Sequence, residues 1–493
     1  MKTLNAQNHQ PFRIKDIPIV SVQEFEGTLR DAMLTHARMI GLFGLESSQP
    51  DTTVIALLSN PSTSSLHLIG TKFSAAQRKF NSLAGVHHQT HYFECELAEN
   101  HHIIPEGHPW LRPVRKQTVV LDDQPYSMYR MEGEEVHEVA VGPIHAGVIE
   151  PGHFRFQCHG ELVYHLEINL GYQHRGIEKM MLTASPNQQS ILCESITGDT
   201  TIGHSIAYAM AVESLSRATI SLRTQSLRSI AEELERIAMH LAGLGGIAND
   251  VGYAIGSASY GRLRTMVINS SALLCGSRFG RGFIVPGGVR FDLSDSALEQ
   301  LKKNLSLVQK DVSTINTVMF DATSVLARLD HTGTVSGEWA KSIGMVGPAA
   351  RASGIELDTR SQFPYGAYRY SPLPLITLST GDVFARARIR SLEIDESIRF
   401  IFEQLENLPS GPIFNELQPR AKESGVISIV EGWRGEIVHS AFTDERGDWK
   451  RYKIKDPSFH NWYGLGLALR SEAISDFPLC NKSFDLSYSG HDL

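Results

Sequence analysis

Four stretches of this 493-residue chain concentrate side chains able to move protons or hold a ligand. The first, GPIHAGVIEPGHFRF at 142–156, sets His145 and His153 among Gly and Pro turn residues. An imidazole there gives or takes a proton near neutral pH. The second, His174-Arg175-Gly176-Ile177-Glu178-Lys179, puts a permanent cation beside a carboxylate. The third is Glu194-Ser195-Ile196-Thr197-Gly198-Asp199-Thr200, with His204 shortly after. The fourth, Asp485-Leu486-Ser487-Tyr488-Ser489-Gly490, lies at the far end of the chain. Threonine and serine hydroxyls are neutral at pH 7, so they suit hydrogen bonding and are poor ligands for soft transition metals. The five cysteines, Cys95, Cys158, Cys193, Cys275 and Cys480, form no C-x-x-C pair. They are expected to be reduced thiols, and no four-thiolate cluster is expected from this chain alone.

Composition narrows the class further. A chain of this length is expected to form two or more domains. Apolar residues make up 42%, enough for a real core, while the 20% of charged residues falls below the usual quarter, as surface buried against partner subunits would. The net charge of −8 comes without a Lys/Arg run, so no nucleic-acid footprint is present. No run of 18 apolar residues could span a bilayer. The opening residues, MKTLNAQNHQPFRIKD, lack the apolar core of a signal peptide, and a cytoplasmic protein is expected.

The elements that must position the four stretches follow from periodicity. Residues 1–116 read as a small α+β unit, with strands in TTVIALL and SLHLIGTKF and a helix in DAMLTHARMIGLFGL. Residues 117–140 read as a linker with acidic Glu132, Glu134 and Glu135. Residues 141–493 read as a mainly helical bundle with peripheral β-hairpins, so the fold class is α+β. Leu227, Ile230, Leu234, Ile237, Leu241 and Leu244 form one apolar stripe on a long helix that is expected to stop in LGGIANDVGY. A second helix is expected from Ser296, with Glu299 completing a capping box, and carries Leu298, Leu301, Leu305, Val308, Val312 and Ile315. A third covers 383–407, and 427–456 alternates about Gly435 as a hairpin does. Gly243-Leu244-Gly245-Gly246 follows a helix and has no P-loop Lys, so it is not a nucleotide loop. His87, His88, His91, His101 and His102 are expected to be a solvated or interface cluster without a metal.

Six stretches in order resemble one superfamily: 142–156, 170–181, 233–253, 283–290, 347–360 and 456–462. The bundle resembles the 49-kDa subunit of complex I and the large subunit of group 4 nickel–iron hydrogenases of the formate hydrogenlyase type. The first unit, with Glu94, Glu96 and the Gly107-His108-Pro109 turn, resembles the 30-kDa subunit of complex I. The resemblance implies a bundle that docks an iron–sulfur small subunit carrying a [4Fe–4S] cluster, and antiporter-like membrane subunits. It implies a peripheral place on the cytoplasmic side of the inner membrane and activity only as part of a complex. Hydrogenase members hold nickel and iron with two C-x-x-C pairs. Here Thr197 and Thr200 stand at the first pair, and Asp485–Gly490, with Ser487, lacks both cysteines of the second. Nickel is therefore not expected. Hydrogenase large subunits also carry an extension after the second pair, whereas this chain ends at Leu493.

Complex I members bind a quinone headgroup in the same cavity, between a histidine of the first hairpin and a tyrosine near the first motif. Quinone reduction needs protons as well as electrons. His145 and His153 both offer the histidine. No tyrosine falls at 194–203, and the nearest is Tyr208. By resemblance, His174 and Arg175 lie near the partner's cluster, where a cation favours the reduced form. Glu178 relays protons or pairs with Lys179 or Arg175. Thr197, Asp199, Thr200, Asp250, Arg351, Asp485 and Ser487 line or brace the cavity. The alternative is a redox-silent scaffold or conformational coupler.

Overall fold

The computed structural model describes residues 2–45, 51–115, 126–147 and 149–493. Its N-terminal part builds a mixed sheet. β1 (Leu4–Ala6) pairs antiparallel and β3 (Ile19–Val20) parallel with β6 (Ser65–Phe73); β6 continues to β5 (Thr52–Asn60) and β5 to β4 (Arg38–Leu45). Helix α1 (Val22–Leu34) starts where the Ser21 hydroxyl accepts the Glu24 N–H. Helix α2 (His91–His101) is followed by β8 (Ile104–Glu106), which pairs parallel with β7 (Lys79–Asn81).

The stretch DAMLTHARMIGLFGL is not one helix. α1 ends at Leu34, His36 takes a left-handed turn (φ 70°), and Arg38–Leu45 is strand β4. Met39 and Leu42 pack with α1 and α2 residues, whereas Ile40, Phe43 and Leu45 pack with Ile427, Val438 and Phe442. Burial on both faces removes the polar alternation that marks a strand, and the run then reads like a helix.

β2 (Phe12–Arg13) pairs with β14 (Ser424–Gly432), the edge of the sheet completed by β15 (Gly435–Thr443) and β16 (Trp449–Lys455). The first hundred residues are thus stitched to the C-terminal hairpin, and the expected alternation about Gly435 is correct. Of the expected linker, 117–125 lies outside the described residues. Its end, 136–140, belongs to β9 (Val136–Val141), which pairs with β10 (His153–His159), itself paired with β11 (Leu162–Asn169).

The bundle contains α3 (Ile177–Thr183), α4 (Pro186–Glu194), α5 (Thr201–Leu215), α6 (Leu222–Asp250), α7 (Ala254–Cys275) and α8 (Asp295–Asp321). The small hairpin β12 (Ile284–Val285) and β13 (Gly288–Val289) lies between the last two. Four short helices follow: α9 (Thr323–Leu329), α10 (Gly337–Ser342), α11 (Gly347–Ala352) and α12 (Thr359–Gln362). Then come α13 (Val383–Glu406), α14 (Ser458–Ala468), α15 (Phe477–Phe484) and α16 (Tyr488–His491). The six-residue stripe of α6 is fully buried, but the helix runs through Gly243, Gly245 and Gly246 to Asp250. A Cβ on Gly243 would lie 3.1 Å from Asp485 Oδ2, and one on Gly246 2.2 Å from Lys482 Cε. These glycines admit α15 and the turn after it rather than ending α6. α8 begins one residue before Ser296, because Ser294 is the cap and accepts the Ala297 N–H. Among the described residues no helix is long and apolar enough to cross a membrane.

Candidate functional site

The third stretch is the turn between α4 and α5. Glu235 of α6 accepts the N–H groups of Ile202 (2.8 Å) and Gly203 (3.2 Å), satisfying donors that an α-helix leaves free at its start. Burial pushes the Glu235 carboxyl up to about 8. The fourth stretch joins α15 to α16. Asp485 takes a left-handed conformation and accepts from Lys482 Nζ at 2.8 Å. The Ser487 hydroxyl accepts the Gly490 N–H, and its carbonyl accepts Trp462 Nε1–H.

Arg434, in the β14–β15 turn, joins these two stretches. Its Nη1 and Nη2 donate to the two oxygens of Asp199 at 2.6 and 2.7 Å, and Nη1 also reaches Thr200 Oγ1 at 3.2 Å. Its Nε donates to the Asp485 carbonyl. The guanidinium lies 3.9 Å over the Trp433 ring, whose Nε1–H donates to the Asp199 carbonyl. Burial opposes the arginine's charge, yet Asp199 outweighs it and raises the Arg434 pKa. Thr197 is buried, and its hydroxyl has no partner among the described residues. Hydroxyls, carboxylates and a guanidinium do not fit nickel, which needs soft thiolates. Cys193 and Cys480 lie in α4 and α15; burial raises both thiols, Cys480 to about 12.

Below Arg434 runs a buried chain of side chains. Asp456 Oδ2 accepts from His204 Nε2 at 3.1 Å; His204 Nδ1 lies 3.1 Å from His439 Nε2; His439 Nδ1 lies 2.9 Å from the Tyr452 hydroxyl. All four are at most 1% exposed. One tautomer satisfies every link: Tyr452 O–H donates to His439, His439 Nε2–H to His204, and His204 Nε2–H to Asp456. Shifting each proton one link along carries a proton the length of the chain.

The remaining expected residues lie in separate places. The 142–153 loop packs on the fourth stretch: a Cβ on Gly152 would meet the Tyr488 ring at 2.5 Å, and Glu150 accepts the Tyr488 N–H. In this loop His145 Nε2 bonds the Gly152 carbonyl (2.8 Å) and His153 Nδ1 the Gly142 carbonyl (3.3 Å). His145 is flanked by exposed Ile144 and Ile149. Tyr208 turns away, donating to Gln189 and lining a cavity of about 990 Å³ with Ile191, Pro286, Phe414 and Leu417.

Arg175 donates to the carbonyls of Ser195 (2.7 Å) and Ile196 (2.9 Å), so the second stretch holds the third, and His174 Nδ1 bonds the Asp492 carbonyl. Glu178 pairs with neither Lys179 nor Arg175. Its partners are Arg451 (2.9 Å) and Lys453 (2.9 Å) on β16. Burial opposes its charge, but these cations hold it at about 2.

Arg351 is fully buried and binds Glu393, Glu431 and the Leu357 carbonyl, inside a cluster that also contains Glu233, Arg236, Asp358 and Arg360. It braces the α6–α13–β14 junction. Asp250 sits half-buried at the end of α6, its pKa raised by burial. Sequence reasoning missed Arg434, Glu235, His439, Tyr452 and Asp456. Glu235, inside the 233–253 stretch, and Asp456, which opens the 456–462 stretch, carried a signal; Arg434, His439 and Tyr452 carried none.

Strands stitched to a helical bundle, with two facing turns that close over one centre, define a large subunit of the hydrogenase and complex I type. The family described as respiratory-chain NADH dehydrogenase, 49 Kd subunit, matches residues 250–426. The chain is 31% identical over 322 residues to one subunit of the F(420)H(2) dehydrogenase of Methanosarcina mazei, covering 65% of this chain and 84% of that one. It is 29% identical over 422 residues to formate hydrogenlyase subunit 5 of Escherichia coli (strain K12), covering 81% and 74%. A solved structure of the membrane-bound sulfane sulfur reductase, an archaeal respiratory membrane complex, shares the fold with a TM-score of 0.68 at 24% identity, over 74% of this chain and 100% of that one. The chain belongs to the family of complex I 49-kDa subunits and group 4 hydrogenase large subunits.

Proposed function

We propose that this chain is the hydrogenase-like large subunit of a membrane-bound oxidoreductase that works without nickel–iron chemistry. It docks an iron–sulfur small subunit at the 170–181 stretch and couples electron transfer from that partner's [4Fe–4S] cluster to an antiporter-like membrane arm. It sits peripherally on the cytoplasmic side of the inner membrane. The carrying observation is the Arg434 bridge: at the positions where the hydrogenase resemblance implies thiolates, this chain ties Asp199 and Thr200 to Asp485 with a guanidinium. That the matched solved structure is of a membrane-bound respiratory complex supports the assembly.

A quinone is the proposed electron acceptor. The 142–153 loop supports this: each histidine spends one ring nitrogen on a backbone carbonyl, leaving His145 Nδ1 and His153 Nε2 for a ligand. The Tyr488 ring packs against Gly152 of this loop and is the tyrosine proposed for the role that no residue of 194–203 fills. The closure by Arg434 favours a second reading, a redox-silent coupler. One experiment separates them: reduce the purified complex, add a soluble quinone, and follow the small-subunit cluster by EPR. Rapid reoxidation, lost on replacing His145 or His153, supports the quinone reading. A cluster that stays reduced leaves the coupler. Stoichiometric nickel in the purified complex would overturn both.

A further inference from the structure

We propose that His91, Cys95 and His108 form a binding site for a divalent, thiophilic metal ion of the zinc class. His91 and Cys95 stand one turn apart on α2, and His108 comes from the Gly107-His108-Pro109 turn after β8. The i, i+4 spacing on α2 thus pairs a histidine with a cysteine on one helix face. The three ligand atoms form a nearly equilateral triangle: His91 Nδ1 to His108 Nε2 is 3.3 Å, Cys95 Sγ to His91 Nδ1 3.9 Å, and Cys95 Sγ to His108 Nε2 3.8 Å. The point equidistant from them lies about 2.1 Å from each, which matches zinc–nitrogen and zinc–sulfur bonds of about 2.0–2.3 Å. The site is enclosed: Cys95 is fully buried, and the Trp110 ring stacks on His91 at 5.4 Å. The Trp110 carbonyl oxygen, 3.9 Å from Sγ, accepts from the Cys95 thiol. Glu94 Oε2 lies 4.0 Å from His108 Nε2, but that carboxylate already binds Ser82, Leu83 and Thr90.

The competing account is a plain hydrogen bond between the two imidazoles. The Trp110 N–H donates to His108 Nδ1 at 3.0 Å, so the metal-free ring carries its proton on Nε2, aimed at His91 Nδ1. Metal must displace that proton and the Cys95 thiol proton. The product holds a thiolate, an imidazolate whose Nδ1 still accepts from Trp110, and a neutral imidazole, so a divalent ion gives a centre with no net charge. A buried neutral centre avoids the cost of burying a charge. Two protons leave per ion bound. The site would clamp α2 to the Gly107-His108-Pro109 turn, beside the Tyr463 ring of α14, which lies 5.6 Å from His91.

The test uses the full chain in its complex, stripped with chelator and reloaded with Zn²⁺ or Co²⁺. One equivalent should bind per chain, and Co²⁺ should show a thiolate-to-metal charge-transfer band. Cys95→Ser should abolish the band and weaken binding more than ~100-fold, while Cys480→Ser changes neither. Calorimetry in buffers of different ionisation enthalpy should count two protons released. If Cys95→Ser does not fold, X-ray absorption on the wild-type zinc complex decides, with one sulfur and two nitrogens expected. Absence of a bound equivalent, a band that survives Cys95→Ser, a sulfur-free zinc shell, or release of no proton would each overturn the proposal.

Discussion

The guanidinium of Arg434 faces both carboxylate oxygens of Asp199 side-on, at 2.6 and 2.7 Å, and so fastens the β14–β15 turn to the turn before α5. With the Asp485 carbonyl on its Nε, one side chain joins segments nearly three hundred positions apart in sequence. Both ends of the centre therefore depend on a residue that lies in neither.

Replacing that residue should loosen both turns. Arg434→Ala removes charge-assisted hydrogen bonds to a partly solvated carboxylate, which screening reduces, so a loss of about 1.5–3 kcal/mol is expected. Arg434→Lys keeps the charge but cannot span Asp199 and the Asp485 carbonyl together, so it should recover less than half. Urea denaturation of the two variants measures this. Equal stability of the alanine variant and the wild type would show that the bridge holds nothing.

Much of the frame around this centre was legible in the sequence, and the reasons it was not all legible are local. The α6 stripe from Leu227 to Leu244 is buried as expected, because a 3.6-residue period survives whatever the helix packs against. Its end was not legible: Gly243 and Gly246 serve close approach to Asp485 and Lys482, a contact between distant segments that mimics a stop signal. β4 was misread because its two faces meet two different cores. At the site, Thr197, Asp199, Thr200 and Asp485 are named from motif resemblance alone, and the structure brings Asp199, Thr200 and Asp485 to Arg434. Arg434, His439 and Tyr452 could not be named in that way, since each is one residue of a strand or turn and acts only through long-range contacts.

Gly347 should tolerate no side chain. Its φ is +68°, and an added Cβ would lie 2.0 Å from the Arg434 carbonyl oxygen, a backbone atom that cannot swing aside. Gly347→Ala is expected to cost about 2–4 kcal/mol and to displace the 432–435 turn. A melting temperature within a degree of wild type would contradict the close approach.

Stability should fall on both sides of mildly acidic pH. Burial raises the carboxyls of Asp358 and Glu178, but Arg360 with Arg351, and Lys453 with Arg451, outweigh it and hold both at about 2. A depressed carboxylate contributes stability that is complete above its unfolded value near 4 and is lost as pH falls towards 2. Glu235 does the opposite. Burial lifts it to about 8, so the folded state keeps a proton that the unfolded state has released. Stability then declines as pH rises from about 4.5 to 8, by up to about 1.4 kcal/mol per pH unit. Glu235→Gln should flatten that alkaline slope and leave the acid limb intact. Denaturation midpoints at about pH 2.5, pH 5 and pH 8 check both limbs, and an unchanged alkaline slope in the variant would assign the decline elsewhere.

The chain from Tyr452 to Asp456 makes the sharpest prediction about turnover. Its links are 2.9, 3.1 and 3.1 Å, and every member is buried, so a proton entering at one end has a continuous route to the other. Burial and the neighbouring His204 hold His439 well below the usual imidazole range, so it rests neutral and passes a proton on rather than storing one. Tyr452→Phe removes the first donor without changing the ring that packs on Trp449 and Tyr208. It should cost about 0.5–1.5 kcal/mol of stability. Turnover of the assembled complex should fall about tenfold or more, with a larger solvent deuterium isotope effect, because a missing link forces the proton onto a slower route. His439→Phe should reproduce the loss, and the double variant should be no slower than either single one, since the two residues act in series. Full activity in Tyr452→Phe with an unchanged isotope effect would reduce these four residues to a buried hydrogen-bonded brace.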